Sequence, residues 1–361
     1  LEQMPDIDTL FLFGSNPTEG HPIISLYLKE AINKGAKVIV TDPRKTWMAS
    51  RADIWLRLKV GSNIALLNGL INVIIENGWE NKEFIAARTE EFDVLKAKVQ
   101  EYDLDRVEKL TGVPREKIIE AARMYSHAEK AMIVYGLGVT EHRTGTENAM
   151  AIANLALVCG QIGRPSTGIM ALRGQNNVQG ASDLGPLPAT LPGYQPVTSE
   201  LVREKFGKAW GVEINKKPGL KSIEMLDECV RGNFKGIFIL GEDPAQTDPD
   251  LHHVRKALEA VEFLVVQDIF PTETTRFADV ILPGASFAEK DGTFTNGERR
   301  VQRVRKAIPP LAGMAEWEVL CKLSTLMGYP MSYSNPGEIM DEIASLVPIY
   351  GGISYDRIEE K

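Results

Sequence analysis

Six short apolar runs recur along this chain, and each stops at Gly or at a polar residue. They are "TLFLFGSNP" (9–17), "KVIVTDPRK" (37–45), "AMIVYGLGVT" (131–140), "GIFILGEDP" (236–244), "FLVVQDIFP" (263–271) and "DVILPGASF" (279–287). Runs this short rarely make helices, and their near-continuous apolar character suits parallel strands buried on both faces. Helical patterns separate them, over 19–34, 62–77, 114–126, 145–162 and 250–260. Ser62 stands at an N-cap position ahead of Ile64, Leu67, Leu70, Ile71 and Ile74 at helical spacing. Pro114 falls in the first turn of its helix. Strands alternating with helices define an α/β fold with a mainly parallel sheet.

The pattern also repeats. "FLFGSNP", "VIVTDPR" and "RADIWLRL" are echoed by "FILGEDP", "LVVQDIF" and "FADVILPG". Gly14 to Asp42 is 28 positions and Gly241 to Asp268 is 27, while Asp42 to Asp53 and Asp268 to Asp279 are both 11. Three landmarks at matched spacing predict two related Rossmann-like units rather than one long sheet. The expected division is a first dinucleotide-binding unit over 1–174, a second over 175–286 with a long entry loop, and a partial irregular module over 287–361. That last stretch carries a return helix near 315–327. The segment 185–196, "GPLPATLPGYQP", holds four prolines and two glycines, which predicts neither regular helix nor sheet. A long aperiodic stretch inside a compact domain is usually functional.

Bulk properties narrow the function. A net charge of −8 argues against a nucleic-acid surface. No apolar run approaches the ~20 residues of a membrane span, and no signal peptide is visible. Cys159, Cys229 and Cys321 lie far apart without metal-ligand spacing. They read as buried or incidental thiols of a reducing, cytoplasmic setting. The chain begins at Leu1 without Met, one step from a strand, and reads as an internal fragment.

Ligands of open parallel sheets bind beyond the carboxyl ends of the strands. There "GSNPTEGHP" (14–22) opens a helix whose N-terminus and glycines suit a phosphate, although its spacing is not GxGxxG. Asp42 and Asp268 end the second strand of each unit, where an acid commonly holds a ribose or base. Asp243 lies at the first turn of the second unit. A helix cap or turn role explains any one of these acids as well. Arg44 has two candidate partners, a phosphate or Asp53. "GLGVTEHRTG" (136–145) reads as a further backbone-approach loop, and His21, His142, His252 and His253 read as solvated.

"RGQNNVQGASD" (173–183) places one cation before a run of amides. The Arg173 guanidinium suits a small carboxylate held by two bonds. Gln175, Asn176, Asn177 and Gln179 both donate and accept, which suits a ligand of mixed heteroatoms such as a pterin or guanine. A loop pinned by amide bonds is the ordinary alternative.

Taken together these segments resemble the catalytic subunit of molybdenum- or tungsten-dependent formate dehydrogenase, among the bis-molybdopterin guanine dinucleotide oxidoreductases. The resemblance rests on "FLFGSNPTEGHPI", "VIVTDPRKTWMASRAD", "TGVPREKIIEAARMYSHA", "RGQNNVQGASDLG", "REKFGKAWGVE", "LGEDPAQTD" and "VVQDIFPTETTRFADVILPGASFAEKDGTFTN", in family order over nearly the whole chain. "RGQNNVQG" with "REKFGKAWG" favours formate dehydrogenase over nitrate or sulfoxide reductases.

The resemblance implies a metal, Mo or W, held by two pyranopterin dithiolenes, each carrying GMP. It implies cofactor contacts at Asn16, Asp42, Arg44, Leu137, Glu141, Gly174, Gln175, Asp243, Thr247, Gln267 and Asp268. Family members often carry Gln where this chain has Glu141. It makes Arg173 the arginine beside the metal that orients formate. It further implies CO2 as product, electron-transfer iron–sulfur or flavin subunits as partners, and no metal ligand among the residues present. The family's metal-ligating Cys or selenocysteine, the His after it, and a module holding a [4Fe-4S] cluster would precede Leu1. A C-terminal pterin-capping domain would follow, so this piece is expected to be inactive alone. A metal-free homologue scaffolding an electron-transfer complex, another such oxidoreductase, and a plain nucleotide-binding module are the alternatives. An intact Arg173 loop argues against the scaffold, and the plain module leaves 173–198 unexplained.

Overall fold

The computed structural model describes residues 1–360. They form two compact units, Leu1–Gln175 and the remainder from Asn176. In the first, strands β1 (Thr9–Phe13), β2 (Lys37–Thr41), β3 (Ile54–Leu56), β4 (Ala131–Tyr135) and β5 (Gly168–Ala171) form one sheet in the order β3-β2-β1-β4-β5. Every pairing is parallel. All five residues of β1 are buried, as a central parallel strand requires. One face carries Phe11, Phe13, Ile39, Ile54 and Leu56, packed with Leu70, Ile118, Tyr125 and Ile152. Those partners come from the helices Asn63–Glu76, Arg115–Ser126 and Gly145–Val158. The other face carries Leu10, Leu12, Val38 and Val40, clustered with Leu28 and Ala31 of the helix Pro22–Asn33.

Three local expectations change. The helix expected over 19–34 is two helices, Pro17–Gly20 and Pro22–Asn33, broken at His21. His21 precedes a proline, whose ring disfavours α geometry for the residue before it, and it sits at φ −142°, ψ 64°. Ser62 does stand at the N-cap, but its hydroxyl donates to the Lys59 carbonyl (2.6 Å) and caps nothing. Its φ −101°, ψ 18° is not the extended conformation that aims a capping oxygen at the first turn. Pro114 is itself the N-cap residue, one position ahead of the first turn.

In the second unit, Val178–Asp183 forms a short helix within the amide-rich stretch. The proline-rich segment holds a minimal antiparallel ladder, β6 (Thr190–Leu191) with β7 (Gln195–Pro196), where none was expected. A two-residue ladder has no further strand to feed, so Pro196 leaves no donor missing from a sheet. Then β8 (Gly236–Leu240), β9 (Phe263–Asp268) and β10 (Val280–Pro283) form a parallel sheet in the order β10-β9-β8. Leu264 and Val266 pack with Leu226, Val254 and Leu258 of the helices Ser222–Val230 and Leu251–Ala260. An antiparallel pair, β11 (Gly292–Thr295) and β12 (Val301–Val304), follows. The helices Glu316–Leu326 and Pro336–Leu346 come after it.

The sequence echo is a structural repeat. The Gly14 N–H donates to the Thr41 carbonyl (2.8 Å), and the Gly241 N–H to the Gln267 carbonyl (2.9 Å). Asp53 accepts from the Val38 N–H (2.8 Å), and Asp279 from the Leu264 N–H (2.7 Å). Asn16 (φ −121°, ψ 75°) and Asp243 (φ −119°, ψ 66°) each head a one-turn helix that starts at proline. What differs is the covering. The counterparts of Phe13 and Ile54 are Leu240 and Val280, and these are 47% and 39% exposed.

Candidate functional site

The carboxyl ends of β1, β2 and β4 border a cleft of about 610 Å³. Among its lining residues are Asn16, Asp42, Arg44, Leu137 and Gly174. Glu141, Arg173 and Gln175 are exposed and lie outside that lining. Glu141 ends the short helix Leu137–Thr140. Arg173 directly precedes Gly174, and its carbonyl lies 2.7 Å from His21 Nε2.

Asp42 is only 5% exposed. Its Oδ1 accepts the Arg44 N–H (2.8 Å) and its carbonyl accepts Trp55 Nε1–H (2.9 Å). Burial pushes its carboxyl above the usual range, against the opposing pull of the Arg44 amide and charge. Arg44 does not pair with Asp53, because Asp53 is engaged by Lys37 Nζ (3.1 Å) and the Val38 N–H. The position of Arg44 on the cleft leaves its charge available to an anion.

The glycines of "GLGVT" line the cleft and also let two stretches of backbone meet. The Gly138 N–H donates to the Gly14 carbonyl (3.0 Å). A Cβ on Gly138 would sit 2.8 Å from that oxygen and 2.9 Å from Gly14 Cα. Gly14 itself has φ +54°. The close approach is therefore between the turn at Gly14 and the short helix Leu137–Thr140, and both glycines line the cleft.

In the second unit, Gln267 and Asp268 end β9, while Asp243 and Thr247 bound the one-turn helix Pro244–Thr247 that follows β8. Asp243 accepts from the Thr274 N–H (2.8 Å) and Thr274 Oγ1 (2.6 Å). Thr247 Oγ1 donates to Glu242 Oε1 (2.9 Å). Asp268 Oδ1 accepts from the Ile269 N–H (2.6 Å). Gln267 is 1% exposed and donates to the Pro283 carbonyl (3.3 Å). Asp243→Ala strands buried Thr274 without its acceptor. About 1–3 kcal/mol of stability is expected to be lost in urea unfolding.

Among the polar residues on the cleft that sequence reasoning missed are His21, Thr41 and Asn63. Thr41 Oγ1 and Asn63 Nδ2 are buried without a hydrogen-bond partner, and so is Gln267 Oε1 in the second unit. Thr41 precedes Asp42 as Gln267 precedes Asp268. That pairing of positions was a signal available in the echo. Cys159 and Cys229 are buried, and burial raises both thiols. Among the described residues no helix is long and apolar enough to cross a membrane.

A sheet repeat with ligand-sized space and unsatisfied polar atoms at the strand ends defines a class, cofactor-binding α/β proteins. Residues 1–326 match the molybdopterin oxidoreductase family, and the chain belongs to it. It is 46% identical over 362 residues to the F420-dependent formate dehydrogenase subunit alpha of Methanocaldococcus jannaschii, covering 99% of this chain and 53% of that protein. It is 44% identical over 362 residues to formate dehydrogenase H of Escherichia coli, covering 100% of this chain and 51% of that protein. The chain thus spans about half the length of the curated relatives it matches. Acetylene hydratase from Pelobacter acetylenicus shares the fold, with TM-score 0.76 over 98% of this chain and 51% of that one, at 23% identity.

Proposed function

We propose that this chain is the central portion of a molybdenum- or tungsten-dependent formate dehydrogenase that binds bis-molybdopterin guanine dinucleotide. The observation that carries the cofactor reading is the first unit's cleft, where buried Asp42 and orphaned Thr41 and Asn63 lie beside Arg44. Such unsatisfied buried atoms call for a ligand or water. The residues present fit the group. Asn16, Asp42, Arg44, Leu137, Glu141, Gly174 and Gln175 would hold one nucleotide end and its pterin. Asp243, Thr247, Gln267 and Asp268 would hold the other. Formate enters the reading through the names of the relatives.

When bound, the group supplies the acceptor for the two electrons that formate releases on becoming CO2 and a proton. The chain's part is electrostatic. Arg173 would hold the carboxylate by two charge-assisted bonds and present the C–H outward. Electrons would pass on through a [4Fe-4S] cluster held elsewhere in the polypeptide to iron–sulfur or flavin partner subunits. The test is the full-length enzyme: formate-dependent dye reduction, and release of GMP on acid hydrolysis. A protein that releases GMP but never oxidises formate overturns the formate reading.

Asp42→Asn separates a ligand contact from a turn residue, since Asn still accepts the Arg44 N–H. The folded-state pKa of Asp42 is raised. Its charge therefore costs stability above that pKa, and the cost fades as pH falls through it. The cofactor-free variant should unfold at an equal or higher temperature at pH 7, with the gain vanishing in acid. Cofactor retention, read as GMP released per chain, should weaken about 10- to 100-fold.

A further inference from the structure

We propose that His21 is the positioning residue for Arg173. The dipeptide His21–Pro22 sets the local geometry. Pro22 drives His21 out of the helical region and splits one expected helix into two. The backbone of His21 is then held from both sides: its N–H donates to the Pro17 carbonyl (3.0 Å), and its carbonyl accepts the Ser25 N–H (2.9 Å). From this fixed corner the imidazole faces the cleft, and Nε2 lies 2.7 Å from the Arg173 carbonyl, 152 positions away in sequence. A carbonyl only accepts, so Nε2 carries the hydrogen in this contact.

Arg173 needs such a hold. Leu172 before it is buried and bonds the Tyr135 carbonyl (2.8 Å), which ends the regular part of the sheet. Arg173 and Gly174 are exposed, and a Cβ on Gly174 would meet nothing within 4 Å. Among the described residues, the bond from His21 is the one hydrogen bond that Arg173 makes. His21 thereby fixes where the guanidinium starts from, at the rim of the cleft. A cation that must meet a three-atom carboxylate depends on that anchor, because an error of 1 Å in a reacting geometry costs up to ~100-fold.

This inference rests on the reading of Arg173 as the formate anchor, and the test keeps the two apart. In the full-length, cofactor-bearing enzyme, His21→Ala should lower kcat/KM for formate about tenfold, mostly through KM. The KM for an artificial dye acceptor and the GMP released per chain should stay within twofold. Tryptic cleavage at Arg173–Gly174 should quicken at least about fivefold, a readout independent of turnover. His21→Gln, whose amide nitrogen reaches the same place, should restore both values. His21→Asn keeps a polar cap residue but falls short of the carbonyl; it should show the same rise in KM and in cleavage rate, and it carries the test where the alanine variant fails to fold. If Arg173→Ala abolishes turnover while both short variants keep wild-type KM and cleavage rate, the His21 role is overturned. If Arg173→Ala itself keeps formate turnover, the formate reading fails. Faster cleavage in the His21 variants would then uphold the anchor alone.

Discussion

Arg173→Ala in the full-length enzyme is expected to cut formate turnover about 100- to 1,000-fold, with GMP and metal content near wild type. The magnitude is that of losing a charged donor at a reacting carboxylate. The expected sparing of cofactor follows from the structure. Arg173 is exposed, and among the described residues its guanidinium makes no hydrogen bond or ion pair. Deleting it removes nothing that holds the fold. Steady-state kinetics together with metal and GMP analysis decide the matter. Loss of cofactor along with activity would make Arg173 a structural residue, and the carboxylate-anchor role would fall.

Phe11→Ala should be the most damaging of the simple core changes, at about 3–5 kcal/mol. Phe11 is fully buried in β1, with the Phe13 and Tyr125 rings each 5.7 Å away, centroid to centroid. Truncation leaves a cavity between the sheet and three helices, which cannot all move in to fill it. Phe238 is its counterpart in the repeat but is only half-buried. Phe238→Ala should cost about 1 kcal/mol or less. Urea unfolding of the two variants checks this, and equal losses would mean that both sheets are covered alike.

Much of the fold was legible because a buried parallel strand must be apolar on both faces, and helices must be apolar on one. All six apolar runs became strands, among them Thr9–Phe13 and Phe263–Asp268. β5 was missed, since Gly168–Ala171 is too short for a period to show. So were the helices Lys82–Arg88, Phe92–Val99 and Leu104–Thr111, each two turns or so long. Within the candidate site, the strand-end logic reached Asp42 and Arg44, the family resemblance added Asn16, and the three share one cleft. It passed over His21, because a histidine in a loop has no pattern that separates a solvated ring from an anchored one.

The chain's own order of residues was enough to set the strands, the repeat and the places where each strand stops. Those are local matters of periodicity, turn chemistry and spacing. Long-range contacts were beyond its reach. That Gly138 rests on Gly14, that Asp243 is engaged by Thr274, and that His21 meets Arg173 depend on how distant segments pack. The same holds for burial. Phe13 and Leu240 end equivalent strands, yet one is 1% and the other 47% exposed. An apolar side chain prefers cover, but what covers it is decided by other parts of the chain folding onto it.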